Sequence, residues 1–217
     1  MKKFVNLALV ALILVSCGKT PQQKAEALVE ESVKKVLLKP DTYDPIETKL
    51  DSVVSPYNDP DFYKEVTNFS ELLTELSRCE SRIENAKKDM SFYDDSFSSS
   101  YFKSQYQEAK EKYEKAVKKY ENLKEKIQKK YEGIAKKLKG EHAFSGYVIA
   151  HSFRANNNDG KTLISNYIFF VDKNIENVIY TLNDYEANEF AETIGQIREK
   201  MESDEDQWFS DDDDDDE

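Results

Sequence analysis

The reactive side chains of this chain are few: two cysteines, Cys17 and Cys79, and two histidines, His142 and His151. Cys17 follows Leu14-Val15-Ser16, at the end of an apolar run from Phe4 to Val15 that is broken only by Asn6. Cys79 lies between Leu76 and Ile83 on an apolar stripe of helical spacing, which predicts a small buried hydrophobe. His151 shares a strand face with Ile149 and Phe153, and His142 stands nine residues before it. That placement predicts structural or surface imidazoles rather than a ligand pair or a general base. A Cys–His nucleophile would need an exposed, activated thiol, and a helix seam does not supply one.

The familiar signatures of cofactor chemistry are missing from the sequence. It has no P-loop, Gly-rich dinucleotide fingerprint, His-Glu-x-x-His or nucleophile elbow. Asp172-Lys173-Asn174 opens like a calcium loop, but Asn177 stands where Gly is needed and Asn183 where the bidentate Glu is needed. No metal and no cofactor is therefore expected. Arg154, beside Asn156-Asn157-Asn158, marks a polar cluster at a hairpin tip and a candidate interaction residue. Trp208 and Phe209, an aromatic pair within an acidic stretch, are two more.

The elements that position these residues follow from periodicity. Met1-Lys2-Lys3 and the apolar run form a leader over residues 1–16, too short to span a bilayer. Pro21–Lys39 reads as a helix with Ala25, Leu28, Val29, Ser32, Val33, Val36 and Leu37 on one face, ended by Pro40. Tyr43–Val54 alternates as a strand, with Ile46, Thr48, Leu50, Ser52 and Val54 on one side. Residues 17–57 thus give a helix and a first strand. Asp59-Pro60 then opens a helix. Phe62, Val66, Phe69, Leu76, Cys79, Ile83 and Ala86 recur at steps of three and four or their sums. After a Ser/Asp-rich break at 91–100 the period resumes through Phe102, Tyr106, Ala109, Tyr113, Ala116, Tyr120, Leu123, Ile127, Tyr131, Ile134 and Leu138, and Gly140 is expected to stop it. Two long helices with a short connection are antiparallel neighbours, so residues 58–140 read as a coiled-coil-like helical hairpin. From residue 141 the period becomes two. Strands over 143–155, 162–171 and 175–182 form a meander, and Asn183 or Asp184 caps a last helix ending at Met201. The expected fold is α+β: the hairpin is inserted into a small domain made by 17–57 and 141–201. That domain is an antiparallel sheet of three to four strands covered by the N- and C-terminal helices.

Composition sharpens this reading. The formal net charge is −12, from 31 Lys+Arg and 43 Asp+Glu. Eleven of the acids lie in Glu202–Glu217, which has no base, so the remainder is nearly neutral. Residues 202–217 are expected to be a disordered acidic tail. Residues 102–139 carry thirteen lysines against six glutamates. Five Glu–Lys pairs there stand at i,i+4 in the favourable order. The tail is expected to remain solvated, with folding back onto this basic helix, or docking of Trp208-Phe209 in an apolar groove, as the alternative. The overall acidity argues against nucleic acid as a partner.

Leu14-Val15-Ser16-Cys17 resembles the lipobox of bacterial lipoproteins. The stretches Lys39-Pro40-Asp41-Thr42-Tyr43-Asp44-Pro45-Ile46-Glu47-Thr48-Lys49-Leu50-Asp51-Ser52 and Phe144-Ser145-Gly146-Tyr147-Val148-Ile149-Ala150-His151-Ser152-Phe153 point the same way. With the later Phe169-Phe170-Val171-Asp172-Lys173, they resemble small uncharacterised lipoproteins of Bacteroidota-type bacteria. The resemblance implies lipidation at Cys17, a Gram-negative envelope location and a core of helix, strand and hairpin. It implies no catalytic residue. It also implies an O-glycosylation acceptor at Ser52 in Asp51-Ser52-Val53, although a paired strand is expected to hide that hydroxyl. Gly18, where Asp would favour inner-membrane retention, points to the outer membrane. The expected function is a non-catalytic, lipid-anchored envelope protein, held to the membrane by its N-terminal lipid. Its hairpin is expected to meet a protein partner or its own copy. An envelope-polymer hydrolase and an inhibitor or immunity-type binding protein are the alternatives.

Overall fold

The computed structural model describes residues 19–93, 99–203 and 208–209. The fold is α+β: the described residues form four α-helices and one four-stranded antiparallel sheet in the order β1-β2-β3-β4. Helix α1 (Pro21–Val36) begins with a reciprocal capping box between Thr20 and Gln23. It ends three residues before the expected Lys39, because the chain turns into a short 3₁₀ segment at Pro40–Thr42. Strand β1 (Asp44–Val54) follows. Helix α2 (Pro60–Phe92) is capped by the Asp59 carboxylate, which accepts from the Asp61 amide, with Pro60 in the first turn. Helix α3 (Ser100–Leu138) returns alongside it. At ~1.5 Å per residue α3 extends about 58 Å. Its last turn closes on Lys139, so α3 ends without the left-handed glycine expected at Gly140. Then come β2 (Phe144–Asn156), β3 (Thr162–Val171), β4 (Val178–Asn183) and α4 (Asp184–Glu202). Asn183 and Glu186 cap α4 reciprocally.

The terminal helices cover opposite faces of the sheet. Ala25, Val29 and Val33 of α1 pack on Ile149, Phe153, Phe169 and Val171. The other face, with Val53, Phe170 and Leu182, meets Tyr63 of α2 and Ala187 of α4. Helix α4 serves two cores at once. Its Ile194 and Ile197 join the α2–α3 seam of Phe62, Val66, Phe69, Leu123, Ile127 and Ile134. The hairpin is therefore fused to the sheet domain along α4. Tyr180 of β4 ties the two parts further: its hydroxyl donates to the Tyr57 carbonyl, and its ring stacks between Phe170 and Tyr63.

Two of the three register slips in the sheet decide side-chain facing that strict alternation misplaces. In β1 the register slips at Ile46, which is 43% exposed, whereas Val53 is buried on the face away from α1 that alternation assigns to it. Between β3 and β4 a slip at Phe170/Val171 puts Val178 on the α1 side, whereas Tyr180 and Leu182 face α2 and α4. Ile175, expected to begin the last strand, sits in a turn at φ 58°. The Asp172 carboxylate closes that turn by accepting from the Glu176 amide at 2.9 Å and the Asn177 side chain at 2.7 Å.

Of the five expected i,i+4 ion pairs on α3, Glu108–Lys112 closes at 2.8 Å and the other four do not. Lysines of α3 reach across to α2 instead, Lys119 to Glu75 at 2.5 Å and Lys137 to Glu65 at 2.6 Å. A tertiary carboxylate held on a neighbouring helix competes well with an exposed in-helix pair worth only ~0.2–0.5 kcal/mol.

Candidate functional site

His151 is sealed beneath α1. Its exposure is 2%, its ring stacks on Phe153, and both nitrogens are engaged. Nε2 lies 2.9 Å from the Tyr43 hydroxyl and Nδ1 2.9 Å from Thr48 Oγ1. Burial lowers its pKa below the ordinary histidine value, and a backbone hydrogen bond with Glu47 works weakly the other way. Burial likewise pushes the Tyr43 phenol up to about 12, with Glu30 adding to the shift. This is a closed Tyr–His–Thr network, with no ring nitrogen left over for a substrate or metal. The unfolded chain binds this proton more readily than the folded one. Stability should therefore fall as pH drops through about 6.5, and His151→Gln should flatten that slope. Urea titrations at pH 7.5 and 5.5 would measure it, and equal slopes in both proteins would refute it. His142 lies elsewhere, at the end of α3, with Nδ1 2.8 Å from the Ser55 carbonyl and Nε2 2.9 Å from the Leu138 carbonyl. It ties α3 to the segment entering α2.

Cys79 is 1% exposed, and its thiol donates to the Ala116 carbonyl at 3.1 Å across the seam. It should resist maleimide in the native protein and react only as fast as the hairpin opens. Modification at the rate of a free thiol would contradict the packing.

The three candidates taken from charge and aromaticity are distributed as follows. Arg154 is not at the hairpin tip. It stands on β2 opposite Asp44 of β1, with which it forms an exposed ion pair at 3.3 Å. Ser52 lies toward the other end of β1. It pairs with Tyr147 on one side, yet it is exposed, because β1 is an edge strand. The expectation that pairing hides it is corrected. Trp208 and Phe209 are brought together on the hairpin. The Trp208 ring meets Phe69 edge-on at 4.8 Å and Tyr131 at 5.5 Å, and its amide donates to Gln128 Oε1 at 2.7 Å. Phe209 lies under the Lys124 ammonium, 5.3 Å from the ring centre. The expected tail boundary therefore moves: Glu202 closes α4, and Trp208-Phe209 belongs to the core margin. Cys17 and residues 210–217 lie outside the described residues.

The hairpin also carries a feature that periodicity alone did not expose. Beyond Cys79 on α2 and before Ala116 on α3, the buried residues among those described are Ala86 and Ala109. These small side chains leave a cavity of about 400 Å³ between the helices, floored by Cys79, Ala86 and Ala116 and rimmed by Arg82, Lys115 and Lys119. Two adjoining hollows share Lys119 and add Arg78, Lys118 and Lys126. Lys119 holds the Glu75 carboxyl below the usual range, and Lys126 and Arg82 add to that field. Among the described residues Arg78, Arg82, Lys115, Lys118 and Lys126 form no ion pair. The lysines were countable from sequence. Their convergence with Arg78 and Arg82 depends on how α2 faces α3. At the far end Phe92 and Tyr101 are 69% and 63% exposed, with Tyr93 and Phe102 packed beside them.

Among the described residues no three His, Cys, Asp or Glu side chains gather as a metal site, and no helix is long and apolar enough to cross a membrane. Compared with protein-family models, with curated proteins and with solved structures, the chain matches none.

Proposed function

We propose that this protein is a non-catalytic, lipid-anchored component of a Gram-negative cell envelope. In this reading it is tethered through Cys17, with the outer membrane as its site, and it works by contact through the helical hairpin. The observation that carries the reading is the hairpin end. Phe92 and Tyr101 expose large aromatic surface there, at the tip of two helices whose buried residues beyond Cys79 and before Ala116 are, among those described, Ala86 and Ala109. Aromatic side chains present a large apolar area at low entropic cost and often anchor protein contacts. Tyr43, His151 and Tyr180, all shifted by burial, are spent on packing and hydrogen bonds, which supports this reading.

Two measurements test it. In cells fed a labelled fatty acid, the wild type should take up label and sediment with membranes, and Cys17→Ser should do neither. Unchanged labelling and sedimentation of Cys17→Ser would remove the anchor from the proposal. A photo-crosslinking residue at position 101 should give a discrete adduct that the same residue at position 163, exposed on the sheet, does not. Equal adducts from both positions would remove the hairpin from it.

A further inference from the structure

We propose that the basic trough between α2 and α3 binds the acidic run Asp211–Glu217 of the same chain. The inference stands apart from the reading above, since both surfaces belong to one molecule. Three observations carry it. The first is charge: Arg82, Lys115, Lys118 and Lys126 surround the Lys119–Glu75 pair without forming an ion pair among the described residues, and the other acids on the rim are Asp89, Glu71 and Glu189. Residues 211–217 are seven consecutive acids. The second is where the described chain ends. Trp208 is held by Phe69, Tyr131 and Gln128, and Phe209 sits beneath Lys124 on α3 itself. The third is reach. Lys119 and Lys126 lie within about 8 Å of Lys124 along the helix axis. Half the girth of a helix is roughly 16 Å, and the eight residues Ser210–Glu217 span up to ~26 Å when extended.

Anchoring by Trp208-Phe209 turns a weak polyelectrolyte contact into an intramolecular one. A short tether gives an effective concentration in the millimolar range, which a free acidic polymer would have to exceed. The salt sensitivity of such a contact follows from the exposure of Arg82, Lys115, Lys118 and Lys126.

Zero-length carbodiimide coupling of the full chain, read by mass spectrometry on an equal mixture of ¹⁵N-labelled and unlabelled copies, tests the proposal. At low salt, cross-links from residues 211–217 should fall on Lys115, Lys118, Lys119 and Lys126 and join peptides of one isotope. They should drop about fivefold or more in ~0.5 M salt. In a full-length variant carrying Arg82→Gln, Lys115→Gln and Lys126→Gln, coupling to Lys118 and Lys119 should fall several-fold. Lys24→Gln with Lys161→Gln should change nothing. Cross-links spread evenly over Lys24, Lys161 and α3, or indifferent to salt, would overturn the assignment. Cross-links found only between isotopes would overturn it too, by making a second copy the occupant.

Discussion

Gly146→Ala should lose about 3–4 kcal/mol of folding stability, lowering the melting temperature by about 10 °C. Gly146 lies opposite Val53, near the start of β2, where β1, β2 and β3 converge. A methyl group added there would stand 2.2 Å from the Val171 carbonyl oxygen and 3.0 Å from Nδ2 of Asn58. The first neighbour is backbone and cannot rotate aside. The second is committed, since Asn58 Nδ2 donates to the Ser145 carbonyl at 2.8 Å. Relief therefore requires the β2–β3 spacing itself to widen. Gly133→Ala is the matching control. Nothing lies within 4 Å of its added methyl on α3, and alanine is the better helix former, so it should gain about 0.5–1 kcal/mol. Urea unfolding of the two variants tests the contrast. A loss below about 1 kcal/mol for Gly146→Ala would show that the strand gap is more yielding than its geometry implies.

Phe69→Ala should cost about 3–5 kcal/mol and release the tryptophan. Phe69 is fully buried in the seam, and its ring is the nearest aromatic contact of Trp208. Truncation removes a whole core ring and leaves a cavity that the rigid helix pair closes poorly. The chain has one tryptophan, so its emission reports this site alone. It should shift to the red in Phe69→Ala while the helical signal persists below the transition. In a double-mutant cycle with Trp208→Ala, the two rings should couple by about 0.5–1.5 kcal/mol. Strictly additive losses, with unshifted emission, would place the tryptophan away from the hairpin.

The long-period features of this fold were legible in sequence because each rests on many residues. The α2 and α3 seams repeat Phe62, Val66, Phe69 against Leu123, Ile127, Ile134, and Asp59-Pro60 marks the helix start as read. What escaped was set by single events. A bulge at Ile46 leaves that side chain exposed and another opposite Val171 turns Val178 onto an unexpected face, and no alternation rule contains a bulge. Docking of Trp208-Phe209 was open from sequence only as an alternative to a solvated tail, because it depends on the gap that Phe69 and Tyr131 leave open. Ser52 was expected to be hidden because pairing was reasoned without knowing that β1 lies at the edge. The basic trough needed the mutual rotation of two helices, which pairs Arg82 with Lys115 and Lys119 across the groove.

The hairpin is inserted between two strands that lie side by side: Val54 leaves the sheet directly opposite Phe144, where the chain returns. Pairing β1 with β2 in an unstructured chain would close a loop of roughly ninety residues, an entropic cost of about 4 kcal/mol beyond the length-independent part. Separations between α2 and α3 shrink from 72 residues at Glu65–Lys137 to 37 at Cys79–Ala116, so pairing that starts at the hairpin end can advance stepwise and set their two outer ends together. The hairpin thus works as a clasp in the folding of the sheet. Weakening it at Ile127 should slow the formation of β1–β2 as well as destabilise the helices, a coupling that stopped-flow refolding would read as a lower folding rate rather than a faster unfolding one.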